Sequence, residues 1–215
     1  MGALFVIIQC IIVFPLAFVC LRALYLISTI YSRRVGLHIH NRSFRTILCI
    51  GSGGHTTEML SLVARMKLYL YTPRLYVMAD SDERSEVKVR EIESQYTDYK
   101  IAKIPRSRNV NQSYISSVFT TIYATLSAIP IVYKFKPDLI FCNGPGTCIP
   151  LCMVAFIMRC LYLVDCRIIF IESLCRVRSL SLTGKILQYI ADIFVVQWLQ
   201  LHKACMGSLY YGRLT

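Results

Sequence analysis

The chain has 215 residues, a formal net charge of +12 and a hydrophobic content of 55%. This length fits one domain of ordinary size with an appendage, and the mean hydropathy of +0.52 is high for a protein without membrane contact. The basic residues form no aromatic-interleaved motif of an RNA-binding module, so we expect no nucleic acid as partner. Anionic lipid headgroups and a phosphate-bearing ligand are expected instead.

Residues 1–31 are predicted to form a single transmembrane anchor. The stretch from Ala3 to Leu21 carries no charged residue, and at about 1.5 Å per residue it nearly matches a hydrocarbon core of roughly 30 Å. A cleaved signal peptide is the alternative, but no basic residue precedes the apolar run and no small-x-small cleavage site follows it. Basic residues follow the span closely, which places the globular part in the cytosol. They are Arg33, Arg34, Arg42 and Arg45.

The ten cysteines are scattered through apolar segments and form no C-x-x-C pair. They are expected to be reduced thiols that pack as small hydrophobic side chains, with no disulfide framework and no metal site. The two glycosylation sequons, which begin at Asn41 and Asn111, would stay unmodified on the cytosolic side of the membrane. No cofactor is expected.

Strand-like and helix-like segments alternate after a basic linker at residues 32–44. This alternation predicts an α/β domain over residues 45–198, with a parallel sheet covered by helices on both faces. The six expected strands are Thr46–Ile50, Arg74–Ala79, Tyr99–Ile104, Asp138–Cys142, Arg167–Ile171 and Asp192–Val196. Helices are expected from the first glycine loop to about Met66, and over Asp82–Gln95, Ser113–Tyr133 and Ile149–Val164. The last two are strongly apolar, and we expect them to be buried against the sheet; helices that rest on the bilayer are the alternative.

The first expected strand runs directly into a glycine-rich loop that opens a helix. Gly51, Gly53 and Gly54 would expose backbone N–H groups at the start of that helix, where phosphate oxygens bind. A dinucleotide site is the alternative, with Asp80 at the end of the next strand in the place of a ribose-binding acid. The G-x-G-x-x-G pattern, however, requires glycine where Thr56 stands.

Two further loops follow later strands. A second glycine turn contains Asn143, Gly144 and Gly146 and opens another helix. A third loop carries an acid, a hydroxyl and two arginines, namely Glu172, Ser173, Arg176 and Arg178. Because the carboxyl ends of parallel strands share one edge of the sheet, we expect these groups to surround a single crevice.

Several segments, taken in order, resemble those of one family. They are Gly51-Ser-Gly-Gly-His-Thr-Thr-Glu-Met59, Ile104-Pro-Arg-Ser-Arg108 with Gln112-Ser113, Asn143-Gly-Pro-Gly-Thr-Cys148, and Glu172-Ser-Leu-Cys-Arg-Val-Arg-Ser-Leu-Ser-Leu-Thr-Gly-Lys185 with Val196-Gln-Trp198. Over nearly all its length beyond the anchor, the chain is similar to the asparagine-linked glycosylation family. The resemblance is to the member that anchors the second-step N-acetylglucosaminyltransferase of dolichol-linked oligosaccharide synthesis. The C-terminus differs from the family pattern, because Leu199 follows Trp198 where proline is usual and no Tyr-Pro precedes Tyr210.

The resemblance implies a single Rossmann-like domain, the N-terminal, acceptor-side half of a GT-B glycosyltransferase, preceded by one transmembrane helix. A separate small soluble catalytic subunit would bring UDP-N-acetylglucosamine (UDP-GlcNAc). This chain would bind the lipid acceptor dolichyl-diphosphate-GlcNAc at the cytosolic face of the endoplasmic reticulum membrane. Residues 199–215 would form a tail that docks the partner, with contacts from Trp198, Tyr210, Tyr211 and Gly212.

Sugar transfer to a hydroxyl requires a base and a site that holds the diphosphate. His55 is the first candidate for the base, Glu172 the second and Asp80 the third; alternatively, His55 donates a hydrogen bond to phosphate while a carboxylate takes the proton. The residues expected to bind the acceptor diphosphate are Gly51, Gly53, Gly54, Thr56, Arg106, Arg108, Asn143, Gly144, Gly146, Ser173 and Arg176. Two other functions are weighed: a non-catalytic recruitment scaffold and a nucleotide-dependent membrane oxidoreductase.

Overall fold

The computed structural model describes residues 2–32, 43–108 and 112–215. Its centre is a parallel sheet of seven strands in the order β3-β2-β1-β4-β5-β6-β7. The strands are β1 (Thr46–Cys49), β2 (Arg74–Ala79), β3 (Tyr99–Ile104), β4 (Leu139–Asn143), β5 (Arg167–Ile171), β6 (Ile193–Val196) and β7 (Leu209–Tyr210). All six predicted strands are confirmed to within one residue at either end. Strand β7 was not predicted, because its two residues are too few to show an alternation of polar and apolar side chains.

Seven α-helices cover the two faces of the sheet. They are α1 (Gly2–Tyr31), α2 (Gly54–Arg65), α3 (Glu83–Ile92), α4 (Tyr114–Phe135), α5 (Cys148–Cys160), α6 (Leu182–Leu187) and α7 (Leu199–Ala204). Leu48 and Ile50 point from β1 into a core shared with α2 and α3. Ile47 and Cys49 point the opposite way, into a larger core shared with α1, α4, α5, α6 and α7. Since alternate strand residues face opposite sides, an almost continuously apolar strand serves both cores.

The two apolar helices behave differently. Helix α5 is buried along most of its length, as expected. In contrast, α4 was expected to be buried and instead exposes most of its large apolar side chains, with Ile115 79% and Phe119 71% exposed. The reason is that α4 contacts the rest of the domain through a narrow face. Only Ala124, Ala128 and Val132, spaced by four residues, are fully buried among its apolar side chains in the described part of the helix. The larger side chains lie on the opposite side of the helix.

The C-terminal end of helix α1 packs against the domain. Leu26 and Ile30 are buried in the larger core, and α1 packs on α5. Among the described residues, two helical stretches are long and apolar enough to cross a membrane, Val13–Tyr31 and Ile115–Phe135. Apart from Arg45, the basic and sequon residues on which the predicted orientation depends lie outside the described residues. These are Arg33, Arg34, Asn41, Arg42 and Asn111.

The segment 199–215 is integrated into the sheet. It contributes α7 and the edge strand β7, and the Gln197 side-chain oxygen accepts hydrogen bonds from the backbone N–H groups of Leu214 and Thr215, at 2.9 and 3.3 Å. The Arg65 guanidinium also donates to the Leu214 carbonyl, at 2.9 Å. These bonds hold the C-terminal residues against the carboxyl end of β6.

Candidate functional site

The main cleft lies at the carboxyl edge of the sheet, where the strand order changes direction between β1 and β4. It encloses about 460 Å³ between the loops that follow β1, β3, β4 and β5 and the first turns of α4 and α6. Residues that line it include Gly51, Ser52, Arg106, Arg108, Gly144, Gly146, Arg176 and Thr183. Ligands of open parallel sheets bind at such a reversal. The structure therefore brings together all three loops predicted to share a crevice.

The first glycine loop presents the N-terminus of α2. Gly53 occupies the cap position with a φ of 64° and provides no side-chain cap. Thr56 is buried, and its hydroxyl bonds the Gly51 carbonyl and lies 2.7 Å from the Ser85 hydroxyl. The Thr56 side chain thus holds the loop in place from its buried side. The first N–H groups of α2 have no side-chain cap. Neither Gly53 nor Gly54 lines the main cleft, and Gly54 lines a smaller pocket beside it.

Three arginines supply positive charge to the main cleft. Arg106 and Arg108 come from the loop after β3, and Arg176 from the loop after β5. Arg108 donates two hydrogen bonds to the Gln112 carbonyl, at 3.0 and 3.2 Å. Within the described ranges, neither Arg106 nor Arg176 forms an ion pair with a carboxylate. Guanidinium groups in this arrangement suit bidentate binding of phosphate.

His55 lies in a side pocket of about 300 Å³ that adjoins the main cleft through Gly144, Arg176 and Ser181. Its Nδ1 is 3.2 Å from the Asn143 side-chain oxygen. Because an amide oxygen only accepts hydrogen bonds, this contact places a proton on Nδ1, and in the neutral ring the lone pair is then on Nε2. The imidazole is therefore oriented to accept a proton at Nε2.

Gly144 permits this position of the imidazole. Its φ is 68°, and a Cβ built there would lie 2.6 Å from Cε1 of His55 and 3.0 Å from Nδ1. Any side chain would be strained in its backbone conformation and would displace the ring. The second glycine turn thus shapes the surroundings of the histidine as well as the cleft.

Asn143 has a different place from the one expected. It is fully buried behind His55 and lines neither cavity, so it orients the imidazole and does not reach the main cleft. Its side-chain Nδ2 is buried with no hydrogen-bond partner in the structure. The spacing of the motif does not show whether the Asn143 side chain faces the main cleft or lies behind His55, because spacing carries no information on the side-chain rotamer.

Glu172, the second candidate base, is fully buried and fully bonded. One carboxylate oxygen accepts from the Ser173 N–H at 3.0 Å, and the other accepts from the Ser181 N–H at 2.9 Å and the Ser181 hydroxyl at 3.0 Å. A carboxylate enclosed in this way has no path to a substrate proton. The structure replaces the expected catalytic role with a structural one, in which Glu172 closes the Arg176 loop on itself.

Asp80, the third candidate base, is exposed and lines neither cavity. Its carboxylate accepts a hydrogen bond from the Ser81 N–H at 2.8 Å. Among the candidate bases, His55 alone faces a cavity.

Glu58 is a site residue that the sequence analysis did not single out. It follows His55 by one helical turn and lines the side pocket. One of its oxygens accepts a hydrogen bond from the Ser173 hydroxyl at 2.9 Å, whereas the other is buried without a partner. Ser173 was expected at the diphosphate site and instead joins the side pocket. The i,i+3 spacing of His55 and Glu58 on a helix was the signal available in the sequence.

The residues expected to dock a partner lie at the edge of the sheet. The Trp198 ring donates to the Leu174 carbonyl at 2.6 Å, and the Arg213 guanidinium lies over it at 4.4 Å. Tyr210 and Tyr211 are exposed, beside the outer strand β7. Trp198 thus holds the Arg176 loop, and the two tyrosines form part of the surface.

The fold is similar to one half of a GT-B fold. The crystal structure of Acinetobacter baumannii MurG matches with a TM-score of 0.56 at 14% identity, covering 79% of this chain and 45% of that chain. The matched part of this chain therefore covers less than half of that neighbour.

The sequence comparisons define the family. Residues 46–214 match the family described as oligosaccharide biosynthesis protein Alg14 like, and the chain belongs to this family. A mouse relative named UDP-N-acetylglucosamine transferase subunit ALG14 is 45% identical over 182 residues, covering 80% of this chain and 83% of the relative. Relatives of the same name from human and Yarrowia lipolytica are 42% and 45% identical, covering 89% and 79% of this chain and 93% and 81% of the relatives.

Proposed function

We propose that this chain is the membrane-anchored, acceptor-binding subunit of a heteromeric glycosyltransferase. The complex adds the second N-acetylglucosamine from UDP-GlcNAc to dolichyl-diphosphate-GlcNAc at the cytosolic face of the endoplasmic reticulum. The observation that carries this proposal is the main cleft, in which the glycine loop at Gly51 and Ser52 and the side chains of Arg106, Arg108 and Arg176 surround a space of about 460 Å³. Its positive charge suits a diphosphate.

A second subunit is part of the proposal. The relatives carry the word subunit in their names, and this chain covers four-fifths or more of the mouse and human proteins. Its fold corresponds to one half of a two-domain enzyme. A small soluble partner would bring the UDP-GlcNAc site to the open carboxyl edge. The exposed Tyr210 and Tyr211 beside β7 are the surface that we assign to partner docking.

The proposed chemistry places the acceptor diphosphate in the main cleft and its sugar toward the side pocket. Nε2 of His55 accepts the proton of the attacking hydroxyl as that oxygen bonds to C1 of the donor sugar and UDP departs. Asn143 keeps the imidazole in the required tautomer through Nδ1. Glu58 lies where a carboxylate can accept a hydrogen bond from a sugar hydroxyl.

The outer side of α4 supports a lipid-linked acceptor held at a membrane surface. Large apolar side chains are exposed along its whole length, from Ile115 to Tyr133. Its N-terminal turns border the main cleft through Ser117 and Thr121. Helix α1 lies on the same face of the sheet, with α5 between them. A bilayer in contact with α1 and α4 would bring a membrane-bound diphosphate to the cleft.

The test is transfer of labelled GlcNAc from UDP-GlcNAc to dolichyl-diphosphate-GlcNAc in membranes that contain this chain, with and without the soluble partner. Activity is expected only with both. His55→Ala should abolish transfer while the partner still co-purifies, and Lys88→Ala, which changes an exposed side chain on α3 that lines neither cavity, should leave transfer intact. Activity from this chain alone would overturn the division into two subunits.

The scaffold alternative has a distinct outcome in the same assay. If the partner performs all the chemistry, His55→Ala will retain wild-type transfer, and deletion of residues 2–31 will abolish recruitment of the partner to membranes. The oxidoreductase alternative has no support from the main cleft, because Thr56 stands where the dinucleotide pattern needs glycine and its side chain is buried against the loop.

A further inference from the structure

Four cysteine thiols meet directly beneath the main cleft. Cys49 and Cys142 are register partners on the neighbouring strands β1 and β4, so their side chains share one face of the sheet. Cys148 and Cys152 are one helical turn apart at the start of α5, which covers that face. All four residues are fully buried.

The sulfur atoms lie close enough to share one ligand. The Sγ atoms of Cys49, Cys142 and Cys148 are all within 4.8 Å of one another, and the Sγ atoms of Cys142 and Cys152 are 3.4 Å apart. A tetrahedral zinc with Zn–S bonds of about 2.3 Å holds its sulfur ligands about 3.8 Å from each other. Three of the sulfur atoms therefore lie within a spread that such an ion can draw together, and Cys152, which contacts Cys142, is the candidate for the fourth ligand.

The surroundings favour thiolates at this place. Cys148 is the first residue of α5, a helix of 13 residues, and the positive end of a helix stabilises a negative sulfur. The Thr147 hydroxyl lies 3.7 Å from Sγ of Cys49. A divalent cation would supply the charge that allows the buried thiols to lose their protons.

We propose that Cys49, Cys142, Cys148 and Cys152 bind one thiophilic divalent cation of the Zn²⁺ class. The cation forms bonds to sulfur and displaces the thiol protons to solvent, with no change of oxidation state. Because the site is enclosed, the cation enters while the chain folds. Once bound, it ties β1, β4 and α5 together just below Gly51 and the Gly144–Thr147 turn, and so fixes the two loops that form the main cleft.

The cluster is distinct from the other buried cysteines. Cys160, Cys166 and Cys205 are also buried. Among the residues that the structure describes, none of them lies in a group of three side chains placed to hold a metal ion. Cys160 and Cys205 provide matched controls, since a cysteine-to-serine change there removes a buried thiol away from the proposed site, whereas Cys166 lies close enough to Cys152 to interact with it electrostatically.

The experiment measures zinc in the full-length chain. The protein is expressed in medium supplemented with Zn²⁺ and purified in detergent with a reductant and without a chelator, and metal is counted by mass spectrometry. We expect one zinc per chain in the wild type and in the Cys160→Ser, Cys205→Ser control. The Cys142→Ser, Cys148→Ser double variant should carry none. A wild-type chain with no more zinc than this double variant would overturn the proposal.

A second measurement does not depend on the folding of any variant. Wild-type chain expressed with Co²⁺ in place of Zn²⁺ should show sulfur-to-cobalt charge-transfer absorption and the visible bands of tetrahedral cobalt. A purified, folded wild-type chain that lacks these bands would show that the four thiols are only packed together. Transfer activity is not needed for either readout, so this proposal and the proposed function can fail independently.

Discussion

Replacing Glu172 by glutamine separates a structural role from a catalytic one. In the structure, its two carboxylate oxygens accept three hydrogen bonds from Ser173 and Ser181. Glutamine has nearly the same shape but presents an NH₂ group in place of one oxygen. If that group takes the position of Oε2, it faces the Ser181 N–H and hydroxyl. Both bonds to the charged oxygen are then lost, and the hydroxyl can only turn and accept a weaker, neutral bond from the NH₂ group. We therefore expect Glu172→Gln to destabilise the loop that carries Arg176.

The magnitude follows from the bonds that are lost. A hydrogen bond to a charged group contributes about 1.5–3 kcal/mol, so two of them amount to about 3–6 kcal/mol. Removal of a buried charge offsets part of this loss, and we expect a net destabilisation of about 2–4 kcal/mol. For a chain of this size, 1 kcal/mol lowers Tm by about 2–4 °C, so the expected fall in Tm is roughly 4–16 °C.

The assay compares thermal unfolding of the detergent-solubilised chain with its transfer activity in the presence of the partner. Glu172→Gln should lower both. Glu91→Gln, a change to an exposed glutamate on α3, should alter stability by no more than about 0.5 kcal/mol. If Glu172→Gln unfolds at the wild-type temperature and yet loses activity, the structural role is refuted and Glu172 returns as the candidate base.

Five further variants test the rest of the site and helix α4. His55→Ala should reduce turnover by about 100-fold or more at unchanged Tm, and Asn143→Ala by about tenfold, since it frees the ring without removing it; equal losses would contradict a positioning role for Asn143. The Arg106→Ala, Arg176→Ala double variant should raise the apparent KM for the lipid acceptor, an effect that Arg90→Ala on α3 should not produce. Gly144→Ala should cost about 1–2 kcal/mol of stability through its left-handed backbone and should also lower turnover, because the new Cβ meets the imidazole; wild-type kcat would argue against this contact. Phe119→Glu on α4 should weaken transfer to a long-chain acceptor in membranes but spare a short-chain, water-soluble acceptor, whereas equal loss with both would separate α4 from the membrane.

The sequence predicted the sheet well because the relevant signals are local. Short apolar strands that end in glycine turns report the strand-to-helix units directly, and all six predicted strands are present. Helix α4 was wrongly predicted to be buried. Its apolar residues are spread around the helix, so the sequence does not show which side meets the sheet. Which side meets the sheet was decided by three small residues, Ala124, Ala128 and Val132, whose role becomes visible only when α5 and β3 are in place.

At the site, the sequence by itself determined which loops meet, since parallel strands bring their carboxyl ends to one edge. It could not determine which polar side chains face the ligand. Glu172 and Asn143 have the right chemistry for the cleft, yet tertiary packing turns the first into a buried loop anchor and the second into a support for His55. Tertiary packing also decides the place of Glu58, which lines the side pocket beside Ser173.

The cysteines show the same division most clearly. Along the chain they are scattered without a C-x-x-C pair, and the sequence indicated reduced thiols and no metal site. In the fold, the register of β1 and β4 places Cys49 beside Cys142, and α5 lays Cys148 and Cys152 over them. Residues almost 100 positions apart thus become neighbours. Local pattern determines which elements form, whereas the distances between side chains from different elements are decided only when those elements pack.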